Sequence, residues 1–115
     1  MPTPLEELDI EVVHDVVLAR VKGEVDLSNA DSVRERLFRA VPNTASALVL
    51  DLSAADYLDS SGVRLIFKLA ERLQSRGQKL DLVVPDDAVI KRTLLLTEVQ
   101  QVVPMFGSVD AALGG

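Results

Sequence analysis

The chain has 115 residues, 48% of them hydrophobic and 26% charged, with no cysteine and no tryptophan. One compact domain is expected, large enough to need neither disulfide nor metal, and zinc ribbons, CxxC redox centres and thiol nucleophiles are excluded. Twelve Lys and Arg against eighteen Asp and Glu give a net charge of -6, the wrong sign for a domain that binds nucleic acid by neutralising phosphates.

Pro2 and Pro4 predict an extended lead-in over residues 1–8. It is acidic rather than basic and then apolar, and no later run approaches the roughly 18 apolar residues of a membrane span, so a cytoplasmic protein without a membrane partner is expected. The β-branched runs Ile10 to Val13 and Val16 to Val21, separated by His14-Asp15, predict two hairpin-paired strands. GEVDLS, from Gly23 to Ser28, breaks that pattern, and Ser28 or Asn29 can cap a helix in which Ala30, Val33, Leu37, Phe38 and Val41 recur at helical spacing. Pro42-Asn43 ends it. ALVLDL, from Ala47 to Leu52, is apolar at nearly every residue and reads as a central strand covered on both faces.

Val63, Ile66, Phe67, Ala70 and Leu73 mark the stripe of a second helix, with Arg64, Lys68 and Glu71 directed outward and Gly77 where a C-cap belongs. Leu80 to Val84 follows as a strand, Asp87 to Leu96 as a helix, Val102-Val103 as a strand stub and Ser108 to Leu113 as a short helix, before a Gly114-Gly115 end expected to fray. The order ββαβαβαβα predicts a single α/β domain over 1–115, its mixed sheet parallel-rich with an antiparallel hairpin at the front.

The chemistry concentrates in LVLDLSAADYLDSSGVRLIF, read as a strand running into a loop with Asp51, Asp56 and Asp59 and then into Ser60-Ser61-Gly62 at the start of the second helix. Unpaired amides and the helix dipole favour negative charge there, so a phosphate on Ser60 could be carried without unfolding, with Gly62 leaving the surface around the hydroxyl open. The plainest reading of the same residues is an N-cap by Asp59 or Ser60, worth about 1 kcal/mol.

Enzyme readings lack their partners. Ser53 stands where a haloacid-type phosphatase needs a second aspartate after Asp51, and Lys79 precedes the strand that a receiver lysine would end. The single histidine, His14, lies in a predicted turn, and neither a GxSxG elbow nor a GxGxxG or Walker loop is present. Hard cations accept carboxylates such as Asp51, Asp56 and Asp59, but capping and loop solvation account for all three. No catalytic residue, metal or cofactor is assigned.

Three segments, GEVDLSNA at Gly23 to Ala30, LVLDLSAADYLDSSGVRLI at Leu48 to Ile66 and LLLTEVQQVVPMFGSVDAAL at Leu94 to Leu113, together resemble bacterial anti-sigma-factor antagonists of the STAS family. The resemblance spans nearly the whole chain, and D-S-S-G is its most specific part. It implies a non-catalytic α/β domain with helices mainly on one sheet face. Unphosphorylated, such a domain binds an anti-sigma factor that is also a serine kinase and so frees a sigma factor; phosphorylation ends the binding and a PP2C-type phosphatase restores it. Carried over by position, Ser60 is the expected phosphoacceptor, supported by Asp26, Asp59, Ser61 and Gly62, with Ser28, Asp56, Arg64 and Lys68 on the partner face of a free monomer. Glu98 stands in LTEV where the family often has glycine, which predicts an altered or strained cap. The resemblance also leaves open a scaffold or adaptor in a lipid-transport or stress-sensing assembly, without a serine switch.

Overall fold

The computed structural model describes residues 6–114, with side chains from Leu8 onward. Its elements are β1 (Glu6–Val13), β2 (Val16–Val25), α1 (Ala30–Ala40), β3 (Ala47–Leu58), α2 (Ser60–Ser75), β4 (Lys79–Val83), α3 (Lys91–Leu96), a 3-10 turn at Val99–Gln101, β5 (Met105–Phe106) and α4 (Val109–Ala112). Pro2, Pro4 and Gly115 lie outside the described residues, and the end of the expected lead-in belongs to β1.

The five strands lie in the order β1-β2-β3-β4-β5. β1 and β2 are antiparallel and the other neighbours parallel. His14-Asp15 joins the hairpin with Val13 opposite Val16, and His14 takes the positive φ, 59°, that primed two-residue turns require. Because the parallel strands advance in one direction and such crossovers are right-handed, α1, α2 and α3 fall on one face of the sheet.

Strand parity then divides the core. Val17, Ala19 and Val21 of β2, Leu48, Leu50 and Leu52 of β3, and Leu80 and Leu82 of β4 join the α1 and α2 stripes in the main cluster. On the reverse face Leu18, Val49 and Val83 form a small second cluster under Val109, Ala112 and Leu113. This two-sided cover explains the unbroken apolar run of β3.

The second helix buries Val63, Leu65, Ile66, Leu69, Ala70 and Leu73, while Phe67, expected inside, is half-buried. Gly77 ends it at φ 73°. The Gly77 amide donates to the Gln74 carbonyl at 3.0 Å and the Gln78 amide to the Leu73 carbonyl at 2.8 Å, the paired bonds of a Schellman cap.

Several boundaries and one cap differ from the sequence expectation, beginning with the hairpin strands, which extend to Glu6 and Val25. The third strand continues beyond Leu52 to Leu58, because two register shifts against β2 keep SAADYL in the ladder. The third helix begins at Lys91 rather than Asp87, since turns after Pro85 occupy the intervening residues. The last strand is Met105–Phe106 and not Val102-Val103: Val103 is buried in the core, and the Pro104 carbonyl accepts from Leu82 to start the ladder. Finally, Asn29 occupies the N-cap position of α1, yet neither it nor Ser28 bonds the helix amides through its side chain. Glu98 is left-handed at φ 61°, the conformation that favours glycine.

Candidate functional site

The carboxyl ends of β2, β3 and β4 share one edge of the sheet, and the β2–α1 loop meets the start of α2 there. Asp59 makes the junction. Its Oδ1 accepts from the Ser61 amide at 2.8 Å and the Gly62 amide at 3.1 Å, capping α2, while its Oδ2 accepts from the Leu27 amide at 3.1 Å in the other loop. One carboxylate therefore satisfies two helix amides and ties down a chain segment thirty-two residues away in sequence.

The β2–α1 loop is braced internally as well. Asp26 Oδ1 accepts from the Ser28 amide at 2.9 Å and the Ser28 hydroxyl at 2.6 Å. The Asn29 side chain accepts from the Asp26 amide and donates to the Glu24 carbonyl, both at 2.9 Å. The Ser28 hydroxyl, followed by the Ser28 and Asn29 amides, holds the Asp26 carboxyl below its ordinary range.

Ser60 opens α2 directly after the cap and is exposed. Among the described residues its hydroxyl takes no hydrogen bond; Asp26 and Asp59 fix the backbone around it rather than the hydroxyl itself. Ser61 is half-buried and faces the groove between α1 and α2, where it lines a cleft with Arg64 and Lys68. Ser28 is exposed in the loop and Asp56 is exposed at a register shift of β3.

Gly62 corrects an expectation. It is buried and does not open the surface: a Cβ there would lie 2.9 Å from the Val25 carbonyl oxygen and 3.0 Å from Leu58 Cδ2. Glycine lets the helix start sit directly on β2 and β3, which sets the height at which Ser60 emerges.

The three aspartates that sequence grouped in one loop are separated. Asp51 and Asp56 lie within β3, and seven residues of strand lie between Asp51 and Asp59, roughly 25 Å of chain. Asp51 is buried on the face opposite α1 and α2, where it accepts from the Ser53 amide at 2.9 Å and hydroxyl at 2.6 Å and lies 3.9 Å from Arg20. Among the described residues no group of three or more His, Cys, Asp or Glu side chains is placed to hold a metal ion.

Sequence reasoning missed Leu27. Its side chain is 81% exposed while its amide is pinned by Asp59. A leucine inside the capping segment DLSN was the available signal, since a loop residue with no core to reach must project.

The fold is that of solved anti-sigma factor antagonists. The antagonist from Mycobacterium paratuberculosis superposes with a TM-score of 0.84 at 26% identity, over 98% of this chain and 96% of that one. SpoIIAA in its unphosphorylated form has the same fold, with a TM-score of 0.72 at 18% identity over 93% of each chain. In sequence, the anti-sigma-F factor antagonist RsfB of Mycobacterium tuberculosis is 30% identical over 101 residues, 87% of this chain and 80% of the relative. Residues 7–112 match the family described as STAS domain. The chain belongs to the STAS domain family. Among the described residues no helix is long and apolar enough to cross a membrane.

Proposed function

We propose that this STAS domain is an anti-sigma-factor antagonist that binds an anti-sigma factor with serine kinase activity, frees a sigma factor, and is switched off by phosphorylation of Ser60. The observation that carries the proposal is an exposed, unbonded serine hydroxyl one residue beyond a cap that ties two loops together. The hydroxyl can enter a kinase site without any element unfolding. The names of RsfB and the M. paratuberculosis protein support the role.

The switch is electrostatic and steric. A phosphoserine adds about -1.5 to -2 charges beside Asp26, whose own charge is favoured by its bonds to Ser28. The first-turn amides that would otherwise welcome the anion are partly taken, since Asp59 already accepts from Ser61 and Gly62. The phosphate therefore stays on the outside of the protein and at the interface. Turning a mostly bound complex into a mostly free one needs an affinity loss of about 100-fold to 10,000-fold, or roughly 2.7 to 5.5 kcal/mol. Desolvating one unpaired dianion at a contact surface supplies a penalty of that order.

The domain contributes no catalytic group of its own in this reading; a PP2C-type phosphatase resets it, and the free domain is a monomer in the cytoplasm. The test is to incubate the protein with ATP and a serine kinase captured on it by pull-down, map the modified residue by mass spectrometry, and titrate the kinase with Ser60→Ala and Ser60→Asp. One phosphate on Ser60, retained binding by Ser60→Ala and at least 100-fold weaker binding by Ser60→Asp are expected. Equal affinities of the two variants would remove the switch, and binding without any phosphorylation by an active kinase would make the domain a scaffold.

A further inference from the structure

Charge is unevenly distributed over the molecule. α1, α2 and the Arg76 cap carry seven of the twelve Lys and Arg but three of the eighteen Asp and Glu. That layer is net +4, and the remainder, with five basic residues against fifteen acidic ones, is net -10. On α2 the basic residues recur every fourth position, Arg64, Lys68, Arg72 and Arg76, so they form one stripe that begins a turn below Ser60.

The stripe borders a groove between the two helices. One cleft of about 250 Å³ is lined by Leu27, Arg34, Ser61, Arg64 and Lys68. A second, of about 410 Å³, continues from it past Arg34 and Lys68 to Phe38 and Arg72. Among the described residues Arg64 and Lys68 take part in no ion pair. Arg34 lies 3.5 Å from the exposed Asp31, and Arg72 stacks on the Phe38 ring at 4.6 Å from its centroid. Arg76 donates to the Val41 carbonyl and so serves the fold, whereas Arg64 and Lys68, exposed and without an ion pair, are left for a partner.

We propose that this groove binds an acidic amphipathic segment of a partner protein, as a second contact beside the Ser60 surface. The inference rests on the reading of the domain as a partner-binding module. Carboxylates on the segment pair with Arg34, Arg64 and Lys68, and its apolar residues meet Leu27 at one end and Phe38 at the other. Asp31 lines the first cleft and Glu35 and Glu71 the second, so discrete carboxylates set against Arg34, Arg64, Lys68 and Arg72 fit the groove better than the continuous anionic surface of a membrane or a nucleic acid duplex, which would also meet the acidic body behind it. The Ser60 edge, by contrast, carries Asp26, Asp56 and Asp59, so the two contacts select partner surfaces of opposite charge.

The experiment is a titration of the isotope-labelled full chain with a synthetic helical peptide of about 16 residues, the length of α2, with glutamate at every fourth position and leucines on the flank. Saturable amide shifts confined to residues 27–40 and 60–76 are expected. Arg64→Glu with Lys68→Glu should weaken binding at least tenfold, added salt should weaken it too, and a peptide with lysine in place of glutamate should not bind. Ser60→Asp should change the affinity by less than about threefold, so this result stands even if Ser60 proves not to be a phosphoacceptor. Absence of saturation, shifts centred elsewhere, undiminished binding by the double variant, or tighter binding to phosphatidylglycerol vesicles or duplex DNA than to the peptide would each overturn the proposal.

Discussion

The tripeptide Asp-Leu-Ser occurs twice, at Asp26-Leu27-Ser28 and at Asp51-Leu52-Ser53, and the two copies make the same local bonds. In each, the aspartate accepts from the serine amide at 2.9 Å and from the serine hydroxyl at 2.6 Å. Their surroundings are opposite. Leu52 is 2% exposed inside the main core, and Asp51 beside it is buried against Arg20, whose charge is held chiefly by Glu11 at 2.6 Å. Leu27 is 81% exposed, and Asp26 lies at the edge from which Ser60 projects. Local chemistry makes the same bonds within a strand and within a loop; the place of the tripeptide in the fold decides whether its leucine serves the core or a partner.

The largest effect should separate the two leucines. Leu52→Ala removes a side chain from a filled core and is expected to cost about 2 to 5 kcal/mol, whereas Leu27→Ala should stay within about 0.5 kcal/mol in stability. Urea denaturation measures both. Losses of similar size would break the comparison, because they would mean that Leu27 has a core partner after all. Leu27→Ala should show its cost instead in the titration with the acidic peptide.

Within the Ser60 edge a second pair of substitutions sharpens the division between scaffold and signal. Asp59→Ala releases two helix amides and the Leu27 amide and is expected to cost about 1 to 2 kcal/mol. Gly62→Ala forces its new methyl against the Val25 carbonyl, with a cost of about 1 to 3 kcal/mol. Ser60→Ala, between cap and glycine, should be neutral within about 0.5 kcal/mol. Thermal melts of the three variants check the ranking, and a destabilised Ser60→Ala would give the serine a structural duty instead.

Much of this arrangement was legible in the chain. Helical spacing located α1 and α2, Gly77 marked the end of α2 at its left-handed C-cap, and the apolar run from Ala47 marked a strand with both faces covered. The cap at Asp59 was readable because Asp, Ser and Gly in succession before an apolar stripe have few other uses. What could not be read were features set by partners remote in sequence. SAADYL has turn-like residues, yet pairing with Lys22 to Val25 keeps it in the sheet, so of the three aspartates expected in a loop Asp51 and Asp56 lie in the strand and Asp59 caps the helix after it. Gly62 appeared to be an opening; only the approach of Val25 and Leu58 reveals it as a contact. β5 was misplaced because Val102-Val103 has the composition of a strand, whereas Val103 is needed in the core and the ladder waits for Met105.

The smallest effect distinguishes the two faces by pH. Asp81, on the face opposite α1 and α2 with Asp51, is pushed above its ordinary 3.8 by burial, with Lys79 only partly opposing. Asp26 is held below 3.8 by Ser28. The signs are therefore opposite. Asp26 stabilises the fold at all pH values above its unfolded pKa and loses that contribution as pH falls through its folded value. Asp81 carries no penalty below its unfolded pKa and accumulates one as pH rises through its folded value. Asp81→Asn should accordingly raise Tm at pH 7, and the gain should vanish in acid below 3.8. Asp26→Asn should lower Tm at pH 7, with its deficit also closing in acid. A gain for Asp81→Asn that persists at low pH would trace to packing of the amide and would cancel the electrostatic contrast between the faces.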